Sequence, residues 1–343
     1  MAMKSYKGFD KKLKCRDFQY EIGKEYEMDG EIKVCSRGFH ACESPFDVFD
    51  HYTMIDSRFC EVEQDGNISK EDRGTKICSS KIKIKAELKL ADMINLGVEW
   101  LKEITSPEKI KTSIKDNSSG NGAQIGSSGY DAKIGSSGND AKIGSSGYDA
   151  KIGSSGYDAK IGSSGNDAQI GSSGNGAQIG SSGNGAKIGS SGYGAKIGSS
   201  GYGAQIGSSG NDAQIGSSGN DAQIGSSGNG AQIGSSGNDA QIGSSGYGAK
   251  IGSSGNYAQI GSSGNYAKID STGEGCVIMC AGINSVAKAS KGSWITLSEW
   301  SYSDKKKRYI PVCVKTEFVD GEKIKADTYY SLKGGVFVES VNN

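Results

Sequence analysis

Only two of the 343 residues are histidine, His40 and His51. Imidazole is the commonest metal ligand and the usual proton carrier near neutral pH, so histidine-based chemistry is confined to the first 51 residues. Neither sign of charge is in excess: Lys plus Arg and Asp plus Glu each number 39. A general binder of nucleic acid or anionic membranes needs a basic surplus to displace counterions, and an acidic mimic of DNA needs the reverse. No apolar run is long enough to span a bilayer, and MAMKSYKGFDKKLKC holds no apolar stretch of signal-peptide type. A phosphate-binding glycine loop is missing as well, because no glycine run ends in G-K-[ST]. Eight cysteines (Cys15, Cys35, Cys42, Cys60, Cys78, Cys276, Cys280 and Cys313) stand outside the regular repeats. Without an export signal they are expected to be free thiols in a reducing cytoplasm.

What is present is periodicity. The 54 glycines would suggest disorder if scattered, but they recur in a nine-residue unit, G-S-S-G-[N/Y]-[D/G/Y]-A-[K/Q]-I. Counting from Asn117 there are 17 recognisable units and a degenerate eighteenth, Asp270 to Ile278. Ala, Lys or Gln, then Ile alternate as a short strand does, and Gly-Ser-Ser-Gly supplies the turn. Nine residues bury nothing alone, whereas stacked units bury Ala and Ile in a shared strip. The fold class is therefore mainly β: a parallel β-solenoid over residues 117–278. Two units per coil would make a rod roughly 40 Å long at the usual strand spacing. Three per coil would make a shorter triangular rod; two is the preferred reading.

The repeat departs from known ligand-binding solenoids. Calcium-binding nonapeptides place an Asp in nearly every turn. Here Asp fills the sixth position in eight of eighteen units, and the apolar residue stands ninth instead of eighth. Ranks of Thr, as on ice-binding faces, are missing. Variation is concentrated at the fifth, sixth and eighth positions. Asp and Lys two apart (Asp131 and Lys133, for example) are expected on one strand face. Lys187 and Lys196 make one stretch basic, while Asp212, Asp221 and Asp239 make the next acidic. Tyr replaces Asn at Tyr130, Tyr148, Tyr157, Tyr193, Tyr202 and Tyr247. These residues read either as a solvated face that drifted during repeat expansion or as a partner-binding stripe, since Tyr favours interfaces.

Residues 1–105 read as a small α+β domain and N-terminal cap, with strands at Phe59–Gln64 and Lys81–Leu88. Leu90, Met93, Ile94, Val98 and Leu101 recur at helical spacing, predicting a helix over 89–104 placed to cover the open first coil. Ser44 is expected as the N-cap of a helix beginning at Pro45. Residues 106–116 form a connector. Residues 279–343 read as irregular last coils followed by a β-hairpin cap, with turns at Asp320-Gly321 and Gly334-Gly335.

The run KCRDFQYEIGKEYEMDGEIKVCSRGFHACESPFDVFDHY, followed by AQIGSSG-type repeats and KGSWITL, resembles a family of phage and prophage proteins of uncharacterised activity. The one departure is Asp17, where that pattern has glycine. The resemblance implies a phage setting and brings no activity with it.

Candidate chemistry is sparse. Cys35, His40, Cys42 and Cys60 are weak zinc candidates, because C-x4-H-x-C is not a customary spacing and no C-x2-C pair supports it. A Cys42–His40 nucleophilic pair is weaker still. RGFHACESPFDVFDHY followed by FCEVEQ loosely resembles ADP-ribosyltransferases, which would make Glu61 or Glu63 the catalytic acid with His40 and Tyr20 at the cofactor. The Ser/Thr expected after the Gly-Phe strand is replaced, however, by His-Ala-Cys. The leading expectation is a non-enzymatic phage-encoded binding protein. Its rigid solenoid would engage or inhibit a host macromolecule, plausibly one of anti-phage defence, in the host-cell cytoplasm. A host protein is the expected partner and a homo-oligomer is admitted; nucleic acid, membrane and cofactors are not expected. An enzyme tethered by the rod and a structural virion or fibre component are the alternatives.

Overall fold

The computed structural model describes residues 2–54, 56–71, 75–105, 117–118 and 120–340. The chain forms two compact units, Met1–Trp100 and Leu101–Asn343. The expected connector 106–116 lies outside the described residues. Among the described residues no helix is long and apolar enough to cross a membrane.

The first unit is built on β1 (Met3–Phe9), β2 (Lys14–Cys15), β3 (Phe18–Gln19), β4 (Glu25–Glu27), β5 (Phe39–Cys42), β6 (Arg58–Lys70) and β7 (Lys76–Leu88). Its main sheet runs β4-β7-β5-β1-β6, and β6 also pairs with β7, so that β1, β5, β7 and β6 close into a small barrel. Alternation dictates the interior: Cys60, Val62 and Gln64 of β6, and Ile82 and Ile84 of β7, are buried while the residues between them reach solvent. The helix α1 (Leu90–Ile104) follows, with Met93, Ile94, Val98 and Leu101 fully buried. Gly97 lets it approach Phe46, since a Cβ there would lie 2.6 Å from the Phe46 ring. Ser44 does not act as a cap. The segment Phe46–Asp50 is a single 3-10 turn whose N-cap is Pro45, and the Ser44 hydroxyl is buried without a hydrogen-bond partner. A turn this short offers few free amides for a cap to satisfy.

The second unit is a parallel β-solenoid of about ten turns. Each strand pairs in register with the strand 18 residues on, as Ile152 with Ile170 and Ile143 with Ile161. Two nonapeptides therefore make one coil. Odd and even units fall into two facing sheets: the first carries Lys133–Ser136, Lys151–Ser154 and their successors, the second Gln124–Ser127, Lys142–Ser145 and theirs. Ile and Ala from both sheets fill the space between, essentially without exposure. Each Ile contributes about 2 kcal/mol by leaving water. The first serine of each unit also points inward, and a rank of these hydroxyls, from Ser145 to Ser271, has no hydrogen-bond partner.

Two features of the turn explain the unit's composition. The second glycine of G-S-S-G is required by stacking. At Gly228 a Cβ would stand 2.5 Å from the carbonyl carbon of Gly210, one coil below, and the same collision recurs along the rod. The sixth position adopts a left-handed backbone at every described coil: φ is +52° to +58° wherever it is Asp, and +64° to +69° wherever it is Gly. Gly, Asn and Asp tolerate that region best. Asp131 and its equivalents are consequently corner residues, not strand residues, and do not share a strand face with the lysines two positions on.

The rod continues past the last recognisable repeat through Val277–Cys280, Val286–Ala289 and the start of Trp294–Ser303. It then stops because the chain turns back. Arg308–Phe318 adds antiparallel to the first sheet, and the hairpin Tyr330–Lys333/Val336–Glu339 adds antiparallel to the second. Gly334 and Gly335 form the tight turn of that hairpin, with φ of +57° and +71°. Val319, Ile324, Tyr330 and Leu332 extend the solenoid core into this cap. Inside it, Lys288 pairs with Asp270 at 3.0 Å, and the Tyr329 hydroxyl donates to the same carboxylate at 3.2 Å. Within the second unit, Thr105 lies against the outer face of the second sheet, where a Cβ on Gly144 or Gly162 would meet it.

Candidate functional site

The first unit contains a pocket of about 1100 Å³ walled by β1, the β2–β3 hairpin, β4, β5 and the segment following the 3-10 turn. Its floor is the middle of β1. Ser5, Lys7 and Phe9 share the inward face of that strand, all buried, so a lysine occupies a position where an apolar residue is usual. The Lys7 ammonium donates to the His40 carbonyl at 2.7 Å, stands 3.6 Å from Cys15 Sγ, and lies over the rings of Phe9 and Tyr20 at 5.5 and 5.7 Å. Burial holds its pKa below the ordinary lysine value. The Tyr52 hydroxyl donates to Cys15 Sγ at 3.0 Å, and burial pushes its pKa up, so the phenol remains a donor. Tyr52 can lie across β1 because Gly8 has no side chain: a Cβ there would be 2.8 Å from that of Tyr52.

The run G-F-H-A-C forms the opposite wall. Gly38 has φ of +136° and lies against Ile32 and Cys78, where a side chain has neither the backbone conformation nor the room. Phe39 joins the aromatic group of Phe18, Tyr20 and Tyr26 through edge-to-face contacts at 4.8 to 6.4 Å. His40 Nε2 accepts the Cys35 backbone N–H at 3.0 Å. Burial first, and then the nearby charges of Lys7, Lys76 and Arg16, lower its pKa and favour the neutral imidazole.

The sequence-level candidates are only partly brought together here. His40 and Tyr20 line the pocket; Glu61 and Glu63 do not. Both glutamates point away from the barrel interior, Glu61 paired with Lys4 at 2.8 Å and Glu63 with Lys85 at 3.0 Å. Of the four zinc candidates, Cys35 is exposed, Cys42 and Cys60 are buried, and the His40 nitrogen is engaged by backbone. Among the described residues no three His, Cys, Asp or Glu side chains come close enough to share a metal ion. Burial pushes the Cys60 thiol up to about 12. Lys7, Cys15, Arg16 and Tyr52 were not singled out by sequence reasoning. The signal was the lysine of MKSYKGF, which alternation places between two inward residues.

On the solenoid, the candidates occupy two corners and two faces. Tyr130, Tyr148 and Tyr202, with Asp221 and Asp239, sit on the corner that leads into the first sheet. Tyr157, Tyr193 and Tyr247, with Asp212, sit on the corner that leads into the second. Lys187 projects from the outer face of the first sheet, whereas Lys196, on the second, is only 8% exposed. The first-sheet face is an open groove of about 1500 Å³, formed by a rank of Lys and Gln beside a strip of glycines. That rank is uncharged from Gln205 to Gln259 and gives way to exposed Val277, Met279 and Trp294.

The corners have their own hydrogen-bond code. Where the fifth residue is Asn, its side-chain oxygen accepts the backbone N–H of the equivalent residue one coil on: Asn184 from Tyr202, Asn211 from Asn229 and Asn238 from Asn256, all at 2.9 Å. Tyr at this position gives up that bond. Tyr193 and Tyr202 instead donate their phenols to Asp212 and Asp221 of the next coil, which raises their pKa. Tyr130 and Tyr148 stack face to face, 5.4 Å apart and 9° from parallel.

Residues 3–96 match a family model described as a domain of unknown function, DUF7666. The match coincides with the first compact unit, barrel and pocket included. No curated protein and no solved structure matches the chain.

Proposed function

We propose that this is a binding protein whose solenoid is a stiff scaffold, and that it engages a host protein in the phage-infected cell through the tyrosine-bearing corner of Tyr130, Tyr148 and Tyr202. The observation that carries the reading is an energetic one. Asn at the fifth position closes an inter-coil hydrogen bond worth about 1 kcal/mol, and Tyr forgoes it. The exchange brings little burial in return, since Tyr130, Tyr148 and Tyr202 remain 76, 46 and 59% exposed. What replaces that bond, a Tyr130–Tyr148 stack and a Tyr202 phenol bond to Asp221, lies at the surface, and rigid aromatic groups so exposed are the usual anchors of protein interfaces. Inhibition of a defence component is the concrete form this takes in a phage setting.

The test is affinity capture from host lysate with the full chain and with the triple variant Tyr130→Asn, Tyr148→Asn, Tyr202→Asn. Asn restores the corner ladder in exchange for the Tyr130–Tyr148 stack and the Tyr202–Asp221 bond, so the variant should keep the parent's fold, as circular dichroism will check. A host protein captured stoichiometrically by the parent and lost by the variant supports the reading. Equal capture by both refutes this corner as the docking surface.

A second reading, an enzyme in the first unit, is favoured by the pocket that holds His40 and Tyr20. Glu61→Gln and Glu63→Gln test its ADP-ribosyltransferase form. NAD consumption by the parent chain, lost in these variants with the fold intact, would support it, and consumption unchanged in both variants would remove both glutamates from it.

A further inference from the structure

Lys7 is the buried cation of the first unit. It is only 5% exposed, and its described neighbours are a backbone carbonyl, a thiol and two aromatic rings. No carboxylate stands within ion-pair distance of it among the described residues. A lysine ammonium removed from water is costly without a counter-ion, and desolvation favours its neutral, nucleophilic form. The amine lines an 1100 Å³ pocket, so a small molecule has room to meet it. Phe18 and Tyr26 supply flat apolar wall, and the charged lining comprises Arg16 and Lys76, which with Lys7 act on His40, together with the carboxylates Asp17, Glu25, Glu27 and Asp50.

We propose that Lys7 is a nucleophilic amine that condenses with a ring-bearing aldehyde or ketone carrying an acidic group, held in this pocket. The ring would pack against Phe18 and Tyr26 and the acidic group would face Arg16 and Lys76. In the reaction the Lys7 nitrogen lone pair forms the bond to the carbonyl carbon while the C=O π pair moves to oxygen. Both amine hydrogens pass to that oxygen, the remaining C–O bond breaks, and water leaves a C=N bond behind. No oxidant or reductant is needed. Cys15 Sγ, 3.6 Å from the amine, and the Tyr52 hydroxyl, 3.0 Å beyond it, form a chain of exchangeable hydrogens along which these transfers can run. The inference is independent of the solenoid corner and of the two glutamates.

The probe is pyridoxal 5′-phosphate, which combines ring, aldehyde and acidic group, with pyridoxal as the arm that lacks the phosphate. The full chain is treated under native conditions with cyanoborohydride to trap imines, and the labelled lysines are mapped by peptide mass spectrometry. Lys7 should be labelled at least ten-fold faster than Lys11 and Lys12, which stand in the open turn beside it. Its rate should level off at lower pH than theirs. Pyridoxal should label Lys7 more slowly than the phosphate ester, and Lys7→Arg should abolish the fast phase while leaving the circular dichroism spectrum unchanged. Labelling of Lys11 and Lys12 with Lys7 untouched would overturn the proposal, a reading made on the unaltered chain. Equal rates with the two probes would overturn the assignment of an acidic group.

Discussion

Two glycines three residues apart in the same unit should respond oppositely to the same substitution. At Gly228 an added methyl would lie 2.5 Å from the Gly210 carbonyl carbon and 3.0 Å from Asn211 N. Ordinary contact is about 3.5 Å or more, so the two coils must part by about 1 Å at this corner. Three hydrogen bonds bridge them there: Ser227 N–H to Ser208 O at 3.0 Å, Asp212 N–H to Asn229 O at 2.7 Å, and Asn229 N–H to Asn211 Oδ1 at 2.9 Å. At about 1 kcal/mol each, Gly228→Ala should cost roughly 3 kcal/mol. At Gly225 a Cβ meets nothing within 4 Å, and the backbone is not left-handed. Gly225→Ala should therefore be neutral or stabilise by about 0.5 kcal/mol, through reduced freedom of the unfolded chain. Urea unfolding of the full chain, followed by circular dichroism, measures the difference. Hydrogen exchange at the Asp212 and Asn229 amides should locate it, because coils in a solenoid couple mainly to their neighbours. Equal stability of the two variants would refute the stacking argument for the second glycine.

Other consequences follow from the same geometry. Tyr257 holds φ at +59°, a region that disfavours bulky residues, so Tyr257→Gly should stabilise by about 1 kcal/mol in thermal unfolding. Asn238→Ala removes the acceptor of the Asn256 amide and should cost about 1 kcal/mol by the same measure. In the C-terminal cap, Glu299 accepts the Gly334 and Gly335 amides at 2.9 Å, Glu317 pairs with Lys323 and Lys315, and Asp320 accepts the Glu322 and Ile324 amides. These contacts hold all three carboxyls below their ordinary range. Depressed carboxyls stabilise the fold fully above the unfolded value of about 4 and lose that contribution as pH falls from there through their lower folded values. Protection of the cap hairpins against hydrogen exchange, relative to the intrinsic rate at each pH, should fall as pH drops below about 4, ahead of the middle coils, and Glu299→Gln should flatten that response.

The fold class could be read from the chain before folding because the repeat encodes it locally. The Ala-x-Ile alternation states which side is inward, and the nine-residue period states that every unit does the same. The helix over Leu90–Ile104 and the strands β6 and β7 were legible for the same reason, a hydrophobic period sustained over many residues. Ser44 misled because cap signals presuppose a helix of several turns, and only a single 3-10 turn follows.

Coil size lay beyond the sequence, since nine-residue units close equally well in twos or threes until backbone stacking selects the 18-residue register. The same stacking divides the tyrosines between two corners and turns the sixth-position Asp into a backbone requirement. The pocket was the least legible feature. Lys7, Cys15, His40 and Tyr52 are separated by up to 45 residues in the chain, and only barrel closure through β1, β5, β6 and β7 draws them together. The chain's local pattern alone determined a solenoid followed by a β-rich C-terminal cap. What the tertiary structure decided was how many units make a coil, which side chains share an edge, and that one buried lysine faces a cavity. These depend on contacts between distant residues, which a local pattern does not encode.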